Sequence, residues 1–228
     1  MIPAEAGQGM QGAGYCERLS DAFWAEPLNA ISNGAFLFAA LAAFLLLRRQ
    51  QGRRRDWPAV ALTVLVGVIG VGSFLFHTMP QRWTLLADVV PIQLFALCYF
   101  GLALNRFLGL SPLAAGIGAL LFLAACFGLA SALAPLLPTG MRGSAGYAGF
   151  LIGLFGVALA AKARGDSATG GRIAIAGFVF ALSLAFRSFD SVLCDAVPFG
   201  LHWGWHLLNG LLLYLLLRAA IRHAPAMA

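Results

Sequence analysis

Seven long apolar stretches constrain this chain more than any other feature. They lie at about 28–47, 58–77, 83–104, 112–134, 144–162, 172–190 and 199–218, with short breaks between them. Each approaches the ~20 residues that a helix needs to cross the hydrocarbon core of a bilayer. In lipid every backbone N–H and C=O must find its partner inside the protein, and runs of this length without strand-like alternation predict helices. The chain is 61% apolar and 11% charged, against roughly 45–50% and about 25% in a soluble domain. An all-α integral membrane protein follows: one domain over residues 1–228, a bundle of seven transmembrane helices. The 228 residues leave no room for a second, soluble domain. Pro135 and Pro138 are placed to end the fourth helix early.

The net charge of +6 does not point to nucleic acid, because the basic residues cluster in the breaks as membrane-flanking residues do. Arginine dominates, 14 against the single Lys162. Eleven basic residues fall on one side: Arg48, Arg49, Arg53, Arg54, Arg55, Arg106, Lys162, Arg164, Arg172, Arg218 and Arg222. The other side holds three, Arg18, Arg82 and Arg142, while Arg187 lies within the sixth stretch. The positive-inside rule then predicts a cytoplasmic C-terminus and an external N-terminus. The opening MIPAEAGQGM has no basic region followed by an apolar core, so no cleavable signal peptide is expected. The preference for Arg over Lys hints at a GC-rich, bacterial genome, and so at an inner membrane. No protein partner is implied.

Two glycine patterns read as packing. Gly146, Gly149, Gly153 and Gly156 form a face of the fifth helix that a neighbour can approach closely. GVIGVG at 67–72 resembles a nucleotide-binding loop, but it lies inside an apolar span with no strand before it.

An ionisable side chain within a span is costly, so the few present are the candidates for function. His77, His202 and His206 all lie in spans. Ser73 precedes His77 by four residues, and His202 and His206 form HxxxH, so each pair shares a helix face. Asp88 lies about a turn into the third helix. Given the alternating helix directions, all five fall towards the outer ends of their helices, at comparable depth. Two histidines one turn apart and a third on another helix suit zinc, with one coordination position left open. The plainer alternative is a set of interhelical hydrogen bonds, with His202 and Trp203 as interfacial anchors.

Ser73-x-x-x-His77, Asp88 and His202-x-x-x-His206 together resemble the CREST superfamily of seven-helix membrane hydrolases. The N-terminal run YCERLSDAFWAEPLNAISN is most similar to the alkaline ceramidase branch, through Cys16-Glu17 and Glu26, Asn29, Ser32 and Asn33. FRSFDSVLCDAVPFGLHWGWHLLNG is similar to bacterial members. The resemblance spans nearly the whole chain. It implies that His77, His202 and His206 bind zinc, that Asp88 handles the proton of the attacking water, and that Ser73 helps to hold the oxyanion. Physical chemistry allows that division of labour; fixing a histidine tautomer is the other reading of Asp88. The reaction so implied is zinc-dependent hydrolysis of a lipid amide, ceramide to fatty acid and sphingoid base, on a substrate drawn from the membrane.

The same resemblance implies a calcium site in which Glu17 and Glu26 match two carboxylates, although the family's Asp and Asn positions are Gly14 and Leu19 here. It also favours a disulfide between Cys16 and Cys194; Cys98 and Cys126, inside spans, read as packing residues. Arg187, Asp190 and Asp195 carry charge near the mouth, and a local Arg187–Asp190 ion pair is the simplest reading. Two other functions share the zinc motif. One is hydrolysis of an acyl-ester lipid, as in phospholipid or GPI-lipid remodelling. The other is a seven-helix sensor of the progestin and adiponectin receptor type.

Overall fold

The computed structural model describes residues 14–50 and 56–223; Arg53, Arg54 and Arg55 of the basic cluster lie outside them, as does the opening MIPAEAGQGM. The helices are α1 (Pro27–Ser32), α2 (Gly34–Arg48), α3 (Trp57–Thr78), α4 (Arg82–Arg106), α5 (Pro112–Leu133), α6 (Ala145–Ala163), α7 (Ser167–Phe189) and α8 (His202–Arg222). With α1 and α2 counted as one span, seven helices among the described residues are long and apolar enough to cross a membrane. This is a multi-pass integral membrane protein, all-helical as the apolar stretches require. Its outward residues include Phe38, Val64, Leu120, Leu159 and Phe178, as expected where the surroundings are lipid.

Neighbouring helices touch in chain order, and α8 returns to α2, so the spans close into a ring. An additional contact between α3 and α8 crosses the interior. α8 is the most enclosed of the helices, burying Trp205, Leu212, Leu216, Leu217 and Ile221 together with both of its histidines. A histidine on α8 is therefore well placed to meet one on α3.

The helix ends are secured by polar side chains. Asp56 and Asp166 accept from the backbone N–H of Ala59 and Thr169 at the starts of α3 and α7, satisfying donors that a helix start leaves unpaired. Arg106 grips Asp56 through two 2.8 Å hydrogen bonds and donates to the carbonyl of Ala220, while Gln50 donates to that of Ile221. At the opposite end of the bundle, Cys16 and Cys194 form a disulfide that joins the N-terminal strap to the α7–α8 connection across 178 residues.

The helix ends and glycine contacts can be set beside the expectations. α5 ends at Leu133 and passes through a 3-10 turn at Ala134–Leu136, the place Pro135 dictates. α8 begins at His202, three residues later than the hydropathy suggests, because Gly200 adopts a positive φ of 66° and turns the chain there. Of the four glycines on α6, only Gly149 and Gly153 meet a neighbour, Cys126 and Phe122 of α5; Gly146 and Gly156 face open space. The four do not lie on one line, and the contact uses the central pair. Cys126 is buried in that contact, whereas Cys98 is exposed on the outside of α4.

Candidate active site

His77 ends the long apolar run of α3, and His202 and His206 open α8. All three are buried, and their ligand nitrogens lie within 4.8 Å of one another. Their ring centroids are 4.6–5.2 Å apart. Two of the rings are fixed by what they touch. His77 Nδ1 lies 2.6 Å from Glu26 Oε2; a carboxylate only accepts, so Nδ1 carries the proton and Nε2 keeps its lone pair. Ser32 gives its hydroxyl proton to the carbonyl of Asn29 and therefore accepts, at 2.8 Å, from Nδ1 of His206. That also leaves Nε2 of His206 as the lone-pair nitrogen. His77 Nε2 and His202 Nδ1 are buried without a hydrogen-bond partner. Buried polar atoms are nearly always partnered, and three neutral imidazoles with unspent nitrogens form the donor set of a divalent metal. The arrangement fits one.

α4 brings the remaining chemistry to these rings. Pro91 has no N–H to give the carbonyl of Ala87 one turn earlier, and Gly72 of α3 approaches that carbonyl so closely that any Cβ would collide with it. The close approach places Asp88, next along α4, beside Ser73, next along α3; the Ser73 hydroxyl interacts with the Asp88 carboxylate. Ser73, Asp88, His202 and His206 line one cavity of about 230 Å³, with Tyr15 and Arg187 in its wall. Phe36, Ile92, Tyr147 and Trp205 belong both to this cavity and to a narrower apolar pocket of about 90 Å³ deeper in the bundle. A polar reaction centre thus opens onto an apolar slot.

A sequence profile of the ceramidase family matches residues 13–224, nearly the whole chain. The chain belongs to the ceramidase family. Searches of curated proteins and of solved structures returned no match. Membership supports a hydrolase of the ceramide amide, and a family that works with a metal agrees with the three-histidine donor set.

The ceramidase resemblance assigns Glu17 and Glu26 to calcium, but their oxygens are engaged elsewhere. Glu17 accepts from the backbone N–H of Leu28 at 2.6 Å and of Asn29 at 2.8 Å, so it caps α1. Burial pushes its carboxyl up, against the downward pull of those two amides. Glu26 accepts from Arg18 through one oxygen and from His77 and Asn29 through the other. Burial alone would raise the Glu26 carboxyl, but the hydrogen bonds from His77 and Asn29 and the charge of Arg18 hold it below its ordinary value. A calcium ion seeks six to eight oxygens and would have to displace the Arg18 guanidinium. Among the described residues the arrangement does not fit calcium: Arg18 supplies the positive charge and also ties the strap to the carbonyl of His77 at 2.8 Å.

The Arg187–Asp190 ion pair is likewise not formed. Asp190 accepts from the backbone N–H of Cys16, Leu201 and His202 and so fixes the start of α8, while Arg187 donates to the Tyr15 hydroxyl at 3.1 Å. Asp195 is exposed. Tyr15 was not a candidate on sequence, yet its ring stacks on His202 with centroids 3.8 Å apart, and burial raises its hydroxyl to about 12. Sequence spacing does not pair Glu26 or Ser32 with the histidines either. The signal was present: Glu26, Asn29 and Asn33, spaced i, i+3 and i+7, set a polar stripe at the entrance of an apolar span, where polar side chains need a reason.

Proposed function

We propose that this ceramidase-family protein is a zinc-dependent hydrolase that cleaves the amide of ceramide to a fatty acid and a sphingoid base. The observation that carries the reading is the cluster of three buried imidazoles, two of which, His202 and His206, line one cavity with Ser73 and Asp88. His77, His202 and His206 are the ligands. What a zinc ion supplies when bound is Lewis acidity, which polarises an otherwise unreactive amide carbonyl and makes a water acidic near neutral pH.

The chain's own residues do the rest. Asp88 takes the proton from the attacking water and returns it to the nitrogen of the leaving sphingoid base. Ser73 donates its hydroxyl hydrogen to the oxygen that gains charge in the tetrahedral transition state. Glu26 and Ser32 hold two of the rings in the tautomer that binds metal, and Tyr15 packs over the third. The aromatic slot below the cavity receives acyl chain and keeps bulk water from the reacting atoms.

The topology belongs to the same proposal. The arginine-rich end faces the cytoplasm, which places the disulfide end on the oxidising side, where such bonds persist. Reporters fused to each terminus test this, and a cytoplasmic signal from both would overturn it. For the chemistry, purified protein is incubated with a panel of ceramides and phospholipids, with and without a chelator. Amide cleavage abolished by chelation and restored by zinc is expected. Undiminished ceramide hydrolysis by a zinc-free His206→Ala variant would overturn the metal reading, and a preference for phospholipid esters would overturn the substrate.

A further inference from the structure

Arg187, near the end of α7, brings its guanidinium to the wall of the cavity that holds Ser73, Asp88 and the α8 histidines. A cation in such surroundings is ordinarily held by a carboxylate. Among the described residues such contacts join Arg18 to Glu26 and Arg106 to Asp56, while His77 and His223 lie against the carboxylates of Glu26 and Asp166. Arg187 makes no such contact; the Asp88 carboxylate of the same cavity acts on it through charge without reaching ion-pair distance. It is held by the faces of Tyr147 and Trp205, each with its centroid 5.2 Å from Cζ, and by the Tyr15 hydroxyl. Aromatic faces steady a cation without consuming its hydrogens, and the Nε of Arg187 is indeed buried with no acceptor. The result is a fixed guanidinium with a donor to spare, beside a reaction centre.

Arg187 and Tyr15 also border a second cavity, of about 340 Å³, at the disulfide end. Its lining is polar, with Thr139, Ser144, Ser191 and Asp190 among its residues; the Asp190 carboxylate is engaged by three backbone N–H groups, and the Ser191 hydroxyl is buried without a partner. The pair therefore forms the partition between the reaction cavity and a polar chamber.

We propose that Arg187 is a binding site for the carboxylate of the fatty-acid product. The inference rests on the amide-hydrolase reading, since the acid exists only after cleavage. The acyl carbonyl of the substrate is uncharged, and the product at neutral pH is an anion. A guanidinium with free N–H groups discriminates between them by charge-assisted hydrogen bonds. It thereby draws the acid away from the histidines towards the polar chamber.

The test compares the binding of a long-chain fatty acid with that of its primary amide and its alcohol. Equilibrium dialysis in a nonionic detergent is carried out on the full chain, with its resident metal and again after chelation. Wild-type protein is expected to favour the carboxylate by about tenfold or more in both states, the scale of one charge-assisted hydrogen bond. Arg187→Gln loses that preference while retaining alcohol affinity, and Arg187→Lys keeps part of it. A preference that vanishes on chelation would assign the carboxylate to the metal and overturn the proposal, as would an unchanged preference in a folded Arg187→Gln protein. Should the Gln variant not fold, the wild-type ratio after chelation and the Lys variant decide: equal affinity for acid and amide in either overturns it. Selective carboxylate binding by a protein that does not cleave ceramide would sustain the anion site and defeat the hydrolase reading.

Discussion

Among individual residues, the division between holding the metal and moving the proton makes separable predictions. Asp88→Ala is expected to retain zinc and lose turnover by about 100-fold or more, the usual contribution of a general base; metal analysis and a hydrolysis assay on one preparation check both parts. Loss of zinc in that variant would make Asp88 a structural support of the histidines instead. The opposite pattern is expected for Glu26→Gln and Ser32→Ala. These side chains touch His77 and His206 through the nitrogens turned away from the metal position. Zinc affinity should fall by about 10–100-fold, as loss of such supporting contacts generally causes, read by competition with a chromogenic chelator. Arg18 belongs to this scale too, because its guanidinium occupies the side of Glu26 on which a calcium ion would have to sit. Calcium-selective chelation should therefore leave the thermal midpoint and the activity of the wild-type protein unchanged.

Within and between helices, the site depends on one unusually close crossing. Gly72 faces the carbonyl of Ala87, and a Cβ there would strike backbone rather than a movable side chain. Gly72→Val should push α4 away from α3, separating Ser73 from Asp88 while the three histidines, on α3 and α8, still meet. Zinc retained with turnover lost is the expected result, and full activity in that variant would show that the crossing does not position Asp88. At the other end, Asp166 starts α7, and its carboxyl is held below the ordinary value by the N–H and hydroxyl of Thr169. Because the folded form is the stronger acid, its contribution is present above the unfolded value near 3.8 and fades as the pH falls through the folded one. Asp166→Ala should cost about 1 kcal/mol at neutral pH. The difference from wild type should shrink towards acid in thermal melts.

Across the whole molecule, the ends of the bundle are tied by different means. The arginine-rich end relies on Asp56–Arg106 and on hydrogen bonds to the last carbonyls of α8. The disulfide end relies on Cys16–Cys194 and on the hydrogen bonds that Asp190 and Arg18 make with the strap, α8 and α3. Since the strap carries Tyr15 over His202 and leads into Glu26, reduction of the disulfide should weaken metal retention as well as stability. A loss on the order of 2–5 kcal/mol is typical for such a bond. Thermal melts and metal content of a Cys16→Ser, Cys194→Ser double variant, compared with wild type in reductant, check this.

Hydropathy along the chain is enough to mark the seven spans, because the cost of an unsatisfied backbone in lipid leaves so few alternatives. It also isolated Ser73, His77, Asp88, His202 and His206, because polar groups inside apolar spans stand out against their surroundings. It did not give the partners of Glu17, Glu26, Tyr15 or Arg187. These lie in the strap or at the end of an apolar span, where hydropathy can mark a polar residue but not the group it meets. Which oxygen meets which nitrogen there was decided only when the strap folded back over α3 and α8. Tertiary packing alone gave Glu26 to Arg18 and His77, Asp190 to the start of α8, and left Arg187 against aromatic rings with no ion pair among the described residues. Hydrophobicity is a property of segments and can be read along a chain, whereas a hydrogen bond needs two groups within about 3 Å, and only the fold sets that distance.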